Sequence, residues 1–230
     1  MTLTRNAKAK LIRHFGEIFV EEPHRLKLYS QDFNSMITKE LRKDKIIPDG
    51  ILGVRTEEEL MKLYEVATEE NIPLIIRGSS SGDVGGAVPS ENGIVVDLKH
   101  LNTSPIVEPI EQKMITGASI DFKDIQSVAI LNGFSLCCYP SNLYSATPGG
   151  WVAQGGYGLG SLRYGSALDQ IIELEVILPN GEKKIFAEKD DFKLFFGSHG
   201  TLGVITNITL KLKFDTPLNH HGCTYDNYKG

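Results

Sequence analysis

Apolar positions along this chain switch between the helical and the strand period. Thr56-Glu57-Glu58-Glu59 reads as a capping box, with Thr56 capping a helix and Glu59 reaching back; Leu60, Leu63, Tyr64 and Ala67 follow at helical spacing. Pro73-Leu74-Ile75-Ile76-Arg77 predicts a short buried strand, and Ile94-Val95-Val96-Asp97-Leu98 and Lys113-Met114-Ile115-Thr116 predict two more. Phe122, Ile125, Val128 and Ala129 form the apolar face of a further helix, which Gly133 is placed to end. Residues 171–178 predict a strand, Pro179-Asn180-Gly181 its turn, and Lys184-Ile185-Phe186 the return. In the last strand Ile208, Leu210, Leu212 and Phe214 alternate with Asn207, Thr209, Lys211 and Lys213, so one face is expected buried and the other solvated. Residues 1–22 read as an amphipathic surface helix, and a polar, irregular region runs from there to Asp49. The pattern is α+β with hairpins rather than a regular βαβ series. It contains no internal repeat.

Composition narrows the classes. At 230 residues the chain has room for one sizeable core or two small ones. A formal net charge of −5, with no Lys/Arg cluster to offset it, argues against nucleic acid as a partner. The basic run at residues 39–45 also holds Glu40 and Asp44 and reads as a solvated helix face. No window approaches the ~18 consecutive apolar residues of a membrane span, and the N-terminus lacks the apolar core of a signal peptide. Three cysteines, with Cys137 and Cys138 adjacent, form neither a disulfide framework nor a metal-site spacing. A reducing, cytoplasmic setting is expected, with no metal.

Glycine placement carries the chemistry. Residues 139–165 hold Gly149, Gly150, Gly155, Gly156, Gly158, Gly160 and Gly165, interleaved with Trp151, Leu143, Leu159, Leu162 and tyrosines. An interior glycine costs about 0.5–1 kcal/mol relative to alanine, so this density marks backbone that must approach something closely. Flexible linkers lack such apolar anchors. Two more such segments stand at strand ends: Arg77-Gly78-Ser79-Ser80-Ser81-Gly82-Asp83, whose amides and hydroxyls suit an anion, and residues 196–206, FGSHGTLGVIT. Each alone reads as a turn or packed loop. Together they describe a slot for one extended, flat, anionic ligand. A P-loop motif is absent, and the glycines at 156, 158 and 160 do not complete a dinucleotide fingerprint.

The ordered set of segments resembles the PCMH-type FAD-binding domain of the vanillyl-alcohol oxidase superfamily. It comprises RGSSSGD followed by Gly85-Gly86-Ala87-Val88-Pro89, Pro140-Ser141, Thr147-Pro148-Gly149-Gly150-Trp151-Val152-Ala153, Arg163-Tyr164-Gly165, Leu178-Pro179-Asn180-Gly181 and GSHGTLGVIT. The glycolate oxidase large-subunit, D-lactate dehydrogenase and alkyldihydroxyacetonephosphate synthase branches are the nearest likenesses. The resemblance covers about residues 25–215. It implies an α+β, PCMH-type FAD-binding fold of two α/β subdomains, with residues 1–24 as a helical extension and 216–230 as a tail toward a cap domain not found here. It implies that Arg77, Gly78, Ser79, Ser80, Ser81, Gly82 and Asp83 bind the FAD pyrophosphate. Pro140, Ser141, Asn142, Leu143, Tyr144, Ser145, Ala146 and Thr147, with Gly149, Gly150, Ala153, Gln154, Gly155 and Gly156, would line the flavin and ribityl chain. His199, Gly200, Thr201, Leu202, Gly203, Val204 and Ile205 would lie along the FAD.

Three departures bear on function. The family usually has glycine where Ser79 and Ser80 stand, and often Glu where His199 stands. Members with covalent flavin commonly carry a histidine in the pyrophosphate loop, which has none here, so FAD is expected to be non-covalent. The cap that supplies much of the substrate pocket and most acid/base residues does not follow, so no catalytic residue is assigned. His199 reads as a cofactor contact ahead of a catalyst, Tyr144, Tyr157 and Tyr164 as flavin-facing or packing, and His220-His221 as an exposed pair. The expected function is the FAD-binding domain or subunit of an oxidoreductase that oxidises a small 2-hydroxy acid or similar alcohol by hydride transfer. The alternatives are an FAD-loaded module working only with a partner subunit or missing cap, and a UDP-N-acetylenolpyruvoylglucosamine reductase-like flavoprotein.

Overall fold

The computed structural model describes residues 3–32, 46–101 and 103–216. The basic run at 39–45 and the His220-His221 pair lie outside the described residues.

The first sheet has the order β1-β2-β4-β3, formed by β1 (Phe19–Val20), β2 (Gly50–Gly53), β3 (Leu74–Arg77) and β4 (Ile94–Asp97). β2 and β3 both run parallel to β4, while β1 pairs antiparallel with β2. Strand alternation divides the sheet between two faces. Leu52, Ile94 and Val96 enter a core with Leu60 and Leu63, whereas Ile51 and Val95 pack with Val20 on the other side. Helix α1 (Arg5–Phe15) contributes Ala7, Leu11 and Phe15 to the first of these cores. The short helix α2 (Pro23–Tyr29) lays Leu26 and Tyr29 over the second.

Helix α3 (Glu57–Glu70) begins as its sequence predicts. Thr56 Oγ1 accepts from the Glu59 amide, but Glu59 turns back to the Arg55 amide, one residue beyond the reciprocal bond expected. With α3 between them, β2 and β3 form a parallel crossover unit. The first half is therefore closer to α/β than the hairpin reading anticipated.

The second sheet is antiparallel, ordered β5-β6-β10-β8-β9, with β7 also on β10. Its strands are β5 (Ile106–Glu108), β6 (Lys113–Gly117), β7 (Phe134–Leu136), β8 (Ile171–Ile177), β9 (Lys183–Phe186) and β10 (Val204–Phe214). Helix α4 (Phe122–Leu131) and the short α5 (Pro148–Ala153) cover it, and Phe122 meets Trp151 edge-on at 5.3 Å. The alternation expected for β10 holds from Leu210 to Lys213 and fails on either side. Thr206 and Thr209 are buried because β10 is central, flanked by β6 and β8, while Phe214 is 61% exposed and stacks on Phe134 at the margin. Ile177 and Val204, at the ends of β8 and β10, sit in the core of the first sheet. That shared packing joins the two sheets and fixes the loops between them. Among the described residues, no helix is long and apolar enough to cross a membrane.

Candidate functional site

A cleft lies where the loops of the two sheets meet. Its walls come from all three glycine-dense segments: Gly78, Ser79, Ser80, Ser81 and Gly82 after β3; Pro140, Asn142, Ala146, Thr147, Gly149, Gly150, Ala153 and Gln154 around α5; and His199, Gly200, Gly203 and Ile205 before and within β10. Hydrogen bonds hold the three together. Asn142 Nδ2 donates to Ser81 Oγ at 3.2 Å, joining the first and second segments. The Gly149 amide donates to the Ala118 carbonyl at 2.8 Å, and the His199 amide to the Ala153 carbonyl at 2.8 Å, hanging the third segment from the end of α5.

The two ends of the chemistry differ. No backbone amide of residues 78–82 has a hydrogen-bond partner among the described residues. Five successive free amides in a turn make a nest for an anion. Ile76, Leu98, Ala118, Trp151, Ala153 and Ile205 supply apolar wall elsewhere in the cleft. At Gly150 a Cβ would meet only Thr147 Oγ1, at 3.2 Å, and would otherwise stand in open space. This site suits a long ligand with an anionic middle and a flat apolar part, as FAD has.

Other sequence-selected residues are placed differently. Arg77 turns away from the cleft and spends its guanidinium on three carbonyls, with Nη1 donating to Tyr29, Gln31 and Ala87 at 3.3, 3.1 and 3.3 Å. Its Cζ stands 4.7 Å from the Tyr29 ring centroid, and the Tyr29 hydroxyl donates to Asp97. Burial lowers the Arg77 pKa, opposed by Tyr29, Asp97 and Asp32; burial, then the bond to Asp97, pushes Tyr29 up to about 12. Asp32 accepts from the Gly85 amide at 2.8 Å. This cluster staples both ends of the glycine/serine loop.

Asp83, Ser141 and Leu202 are exposed, and Val204 is in the core. Tyr144 and Ser145 line a neighbouring groove with Tyr29 and Lys99, and Thr201 one beside Tyr64. Leu143 packs on the core of the second sheet, with Phe122 and Trp151. Gly155 and Gly156 turn the chain against Phe196 and Trp151. Tyr157 is exposed and meets Phe196 edge-on, and Tyr164 lies under Arg163. The sequence reading missed Ile76, Gly86, Ala87, Leu98, Ala118, Ser119, Trp151 and Ser198 as cleft residues. Ile76 and Leu98 read only as strand apolars, and their place at strand ends was the available signal.

Comparison with known proteins agrees with this geometry. Residues 48–185 match the family model described as FAD binding domain. The chain is 30% identical over 222 residues to glycolate oxidase subunit GlcD from Bacillus subtilis, covering 91% of this chain and 45% of that protein. It is 32% identical over 163 residues to D-lactate dehydrogenase from Archaeoglobus fulgidus, covering 67% and 36%. An alkyldihydroxyacetonephosphate synthase structure superposes with a TM-score of 0.79 at 22% identity, covering 93% of this chain and 45% of that one, which establishes shared fold. The chain thus spans less than half the length of these relatives. With a family match across most of the cleft and a site shaped for an anionic, flat ligand, this chain belongs to the FAD binding domain family and takes FAD as its cofactor.

Proposed function

We propose that this chain is the FAD-holding part of a flavoprotein oxidoreductase that oxidises a small 2-hydroxy acid. The observation that carries the reading is the cleft itself, with five unpartnered amides and an apolar wall, in a chain related to glycolate- and D-lactate-oxidising proteins by name. FAD supplies the hydride acceptor when bound. The chain's own residues bind and orient it: residues 78–82 through backbone amides, Gly150 by leaving room, and Trp151 with Ala118 and Ile205 by excluding water from one wall, while Gly149 lets α5 pack closely on Ala118. Arg77 serves the fold of the loop rather than the ligand. We also propose a cytoplasmic setting and non-covalent attachment. Cys137 and Cys138 are free thiols, and burial raises the Cys137 pKa, away from a reactive thiolate.

A second reading, a module that turns over only with a partner subunit or further domain, has its own support. Among the described residues lining the cleft, His199 alone carries an ionisable side chain. Oxidation of a hydroxy acid needs a base held in near-attack geometry, and one exposed imidazole is a thin provision for it.

The deciding experiment is FAD titration of the purified chain, acid precipitation, then a dye-linked assay across a panel of 2-hydroxy acids. The proposal expects a yellow complex that releases all flavin to the supernatant, with weak turnover. A folded protein that stays colourless refutes the FAD reading, a yellow acid pellet refutes non-covalent attachment, and robust turnover refutes the need for a partner.

A further inference from the structure

Gly78, Gly82 and Gly86 recur at every fourth residue after β3, and none of the three has positive φ. Backbone conformation therefore does not call for glycine at any of them. Space does. A Cβ would fall 3.0 Å from Thr147 Oγ1 at Gly78, 1.9 Å from Gln154 Nε2 at Gly82 and 2.6 Å from His199 Nδ1 at Gly86. Each of these atoms tips a side chain that reaches over from another cleft segment, and all six residues line the cleft.

The three tips are not alike. Thr147 is buried at the start of α5 and is fixed there. Gln154 and His199 are exposed, and the side chain of neither makes a hydrogen bond or ion pair among the described residues. Asn142 shows what a tie across the same cleft looks like, since its Nδ2 donates to Ser81 Oγ at 3.2 Å. Gln154 and His199 instead rest on Gly82 and Gly86 by contact alone. They also move with one wall, because the His199 amide donates to the carbonyl of Ala153, next to Gln154, at 2.8 Å.

We propose that Gln154 and His199 form a gate across the cleft, resting on Gly82 and Gly86 when shut and swinging into solvent to admit FAD. The gate presupposes the FAD reading of the cleft and adds the step by which the cofactor enters. A long ligand lying between the walls cannot share that space with two side chains that span it. Their contacts are weak individually, and exposed side chains change rotamer within nanoseconds. The gate therefore acts through the fraction of molecules open at encounter, not through a slow opening step. Glycine at 82 and 86 serves the shut position, where any Cβ would hold the gate ajar.

The test is stopped-flow mixing of the apo-protein with FAD, which gives the association rate from flavin fluorescence, followed by dilution for the dissociation rate. Gln154→Asn and His199→Asn shorten each reach while keeping a polar side chain, and asparagine tolerates the positive φ at 199. Gln112→Gly is the control outside the cleft. With both side chains clear in about a tenth of molecules, each variant should speed association about threefold and the double variant about tenfold. Dissociation should stay within about twofold, so FAD binds the double variant more tightly than wild type. The control should change neither rate. Apo Tm should stay within about 2 °C of wild type, as for exposed side chains without partners. Unchanged association overturns the gate. So does faster dissociation at an unchanged association rate, which would make the two side chains cofactor contacts. A fall in Tm beyond that range in both variants would make them supports of the fold and overturn it too. A folded wild type that takes up no FAD refutes the FAD reading, and the gate with it.

Discussion

Gly150→Val and Gly203→Val should both abolish FAD binding, but by opposite routes that the structure separates. At Gly150 the new Cβ meets one atom, Thr147 Oγ1 at 3.2 Å, and the branch projects into the cleft. Replacing glycine in α5 with valine gains a few tenths of a kcal/mol in helix propensity, about offset by the tight contact, so stability should move by less than about 1 kcal/mol. Gly203 is different. Its φ is +151°, and a Cβ would fall 2.8 Å from the Ile177 carbonyl oxygen and 2.9 Å from Val176 Cγ1, both in β8. Backbone strain of about 1–3 kcal/mol and overpacking of about 1–3 kcal/mol add to roughly 4 kcal/mol. At about 2–4 °C per kcal/mol for a chain of this size, apo Tm should fall by roughly 8–16 °C. Differential scanning fluorimetry without FAD and a flavin-fluorescence titration measure the two effects. Gly150→Val should keep its Tm and lose at least about a hundredfold in affinity, since valine methyls occupy cofactor space. A yellow Gly150→Val protein, or a Gly203→Val protein with wild-type Tm, would refute the reasoning.

Trp151 is the only tryptophan and lines the cleft, so bound FAD should quench most of the intrinsic fluorescence; unchanged emission at saturation would place the flavin elsewhere. Arg77→Met strips three carbonyls of a charged donor and should weaken FAD binding about tenfold or more while exposing residues 78–88 to proteolysis, read by limited digestion. Asp169 is held down to about 2 by the Lys189 hydrogen bond first, then by the Ser166 amide and hydroxyl. A depressed carboxylate stabilises above its unfolded pKa near 4 and loses that contribution as pH falls toward 2. The group is 41% exposed, so screening reduces it to about 1 kcal/mol. Asp169→Asn should lower Tm at pH 7 by a few degrees and flatten the Tm profile between pH 4 and 2; parallel profiles would contradict this. Lys183 pairs with Glu57 and Glu175 at the surface, and Lys183→Met should shift Tm by no more than about 3 °C.

Local periodicity was enough to read most elements of this chain. The runs ending at Arg77 and Asp97, the amphipathic α3 and α4, and the β8–β9 hairpin each announce themselves within about ten residues, because burial of one face imposes period 3.6 or 2 directly on the sequence. Glycine density likewise marked the three segments that line the cleft, since a missing Cβ is a local fact with a local cost. What depended on partners distant in sequence was illegible. β2 is four residues bounded by Gly50 and Gly53, and Gly50 is required because the Phe19 ring packs where its Cβ would be. The burial of Thr206 and Thr209 follows from β10 lying between β6 and β8, which no alternation within β10 reveals. Arg77 reads as a phosphate partner from its neighbours, yet the folded chain offers it three carbonyls from residues 29, 31 and 87 first. Sequence alone thus determined which backbone is bare and which faces are apolar. Only the tertiary structure decided which bare backbones face one another and which polar side chains are left unspent there, because pairing register and shared cores join residues that the chain keeps far apart.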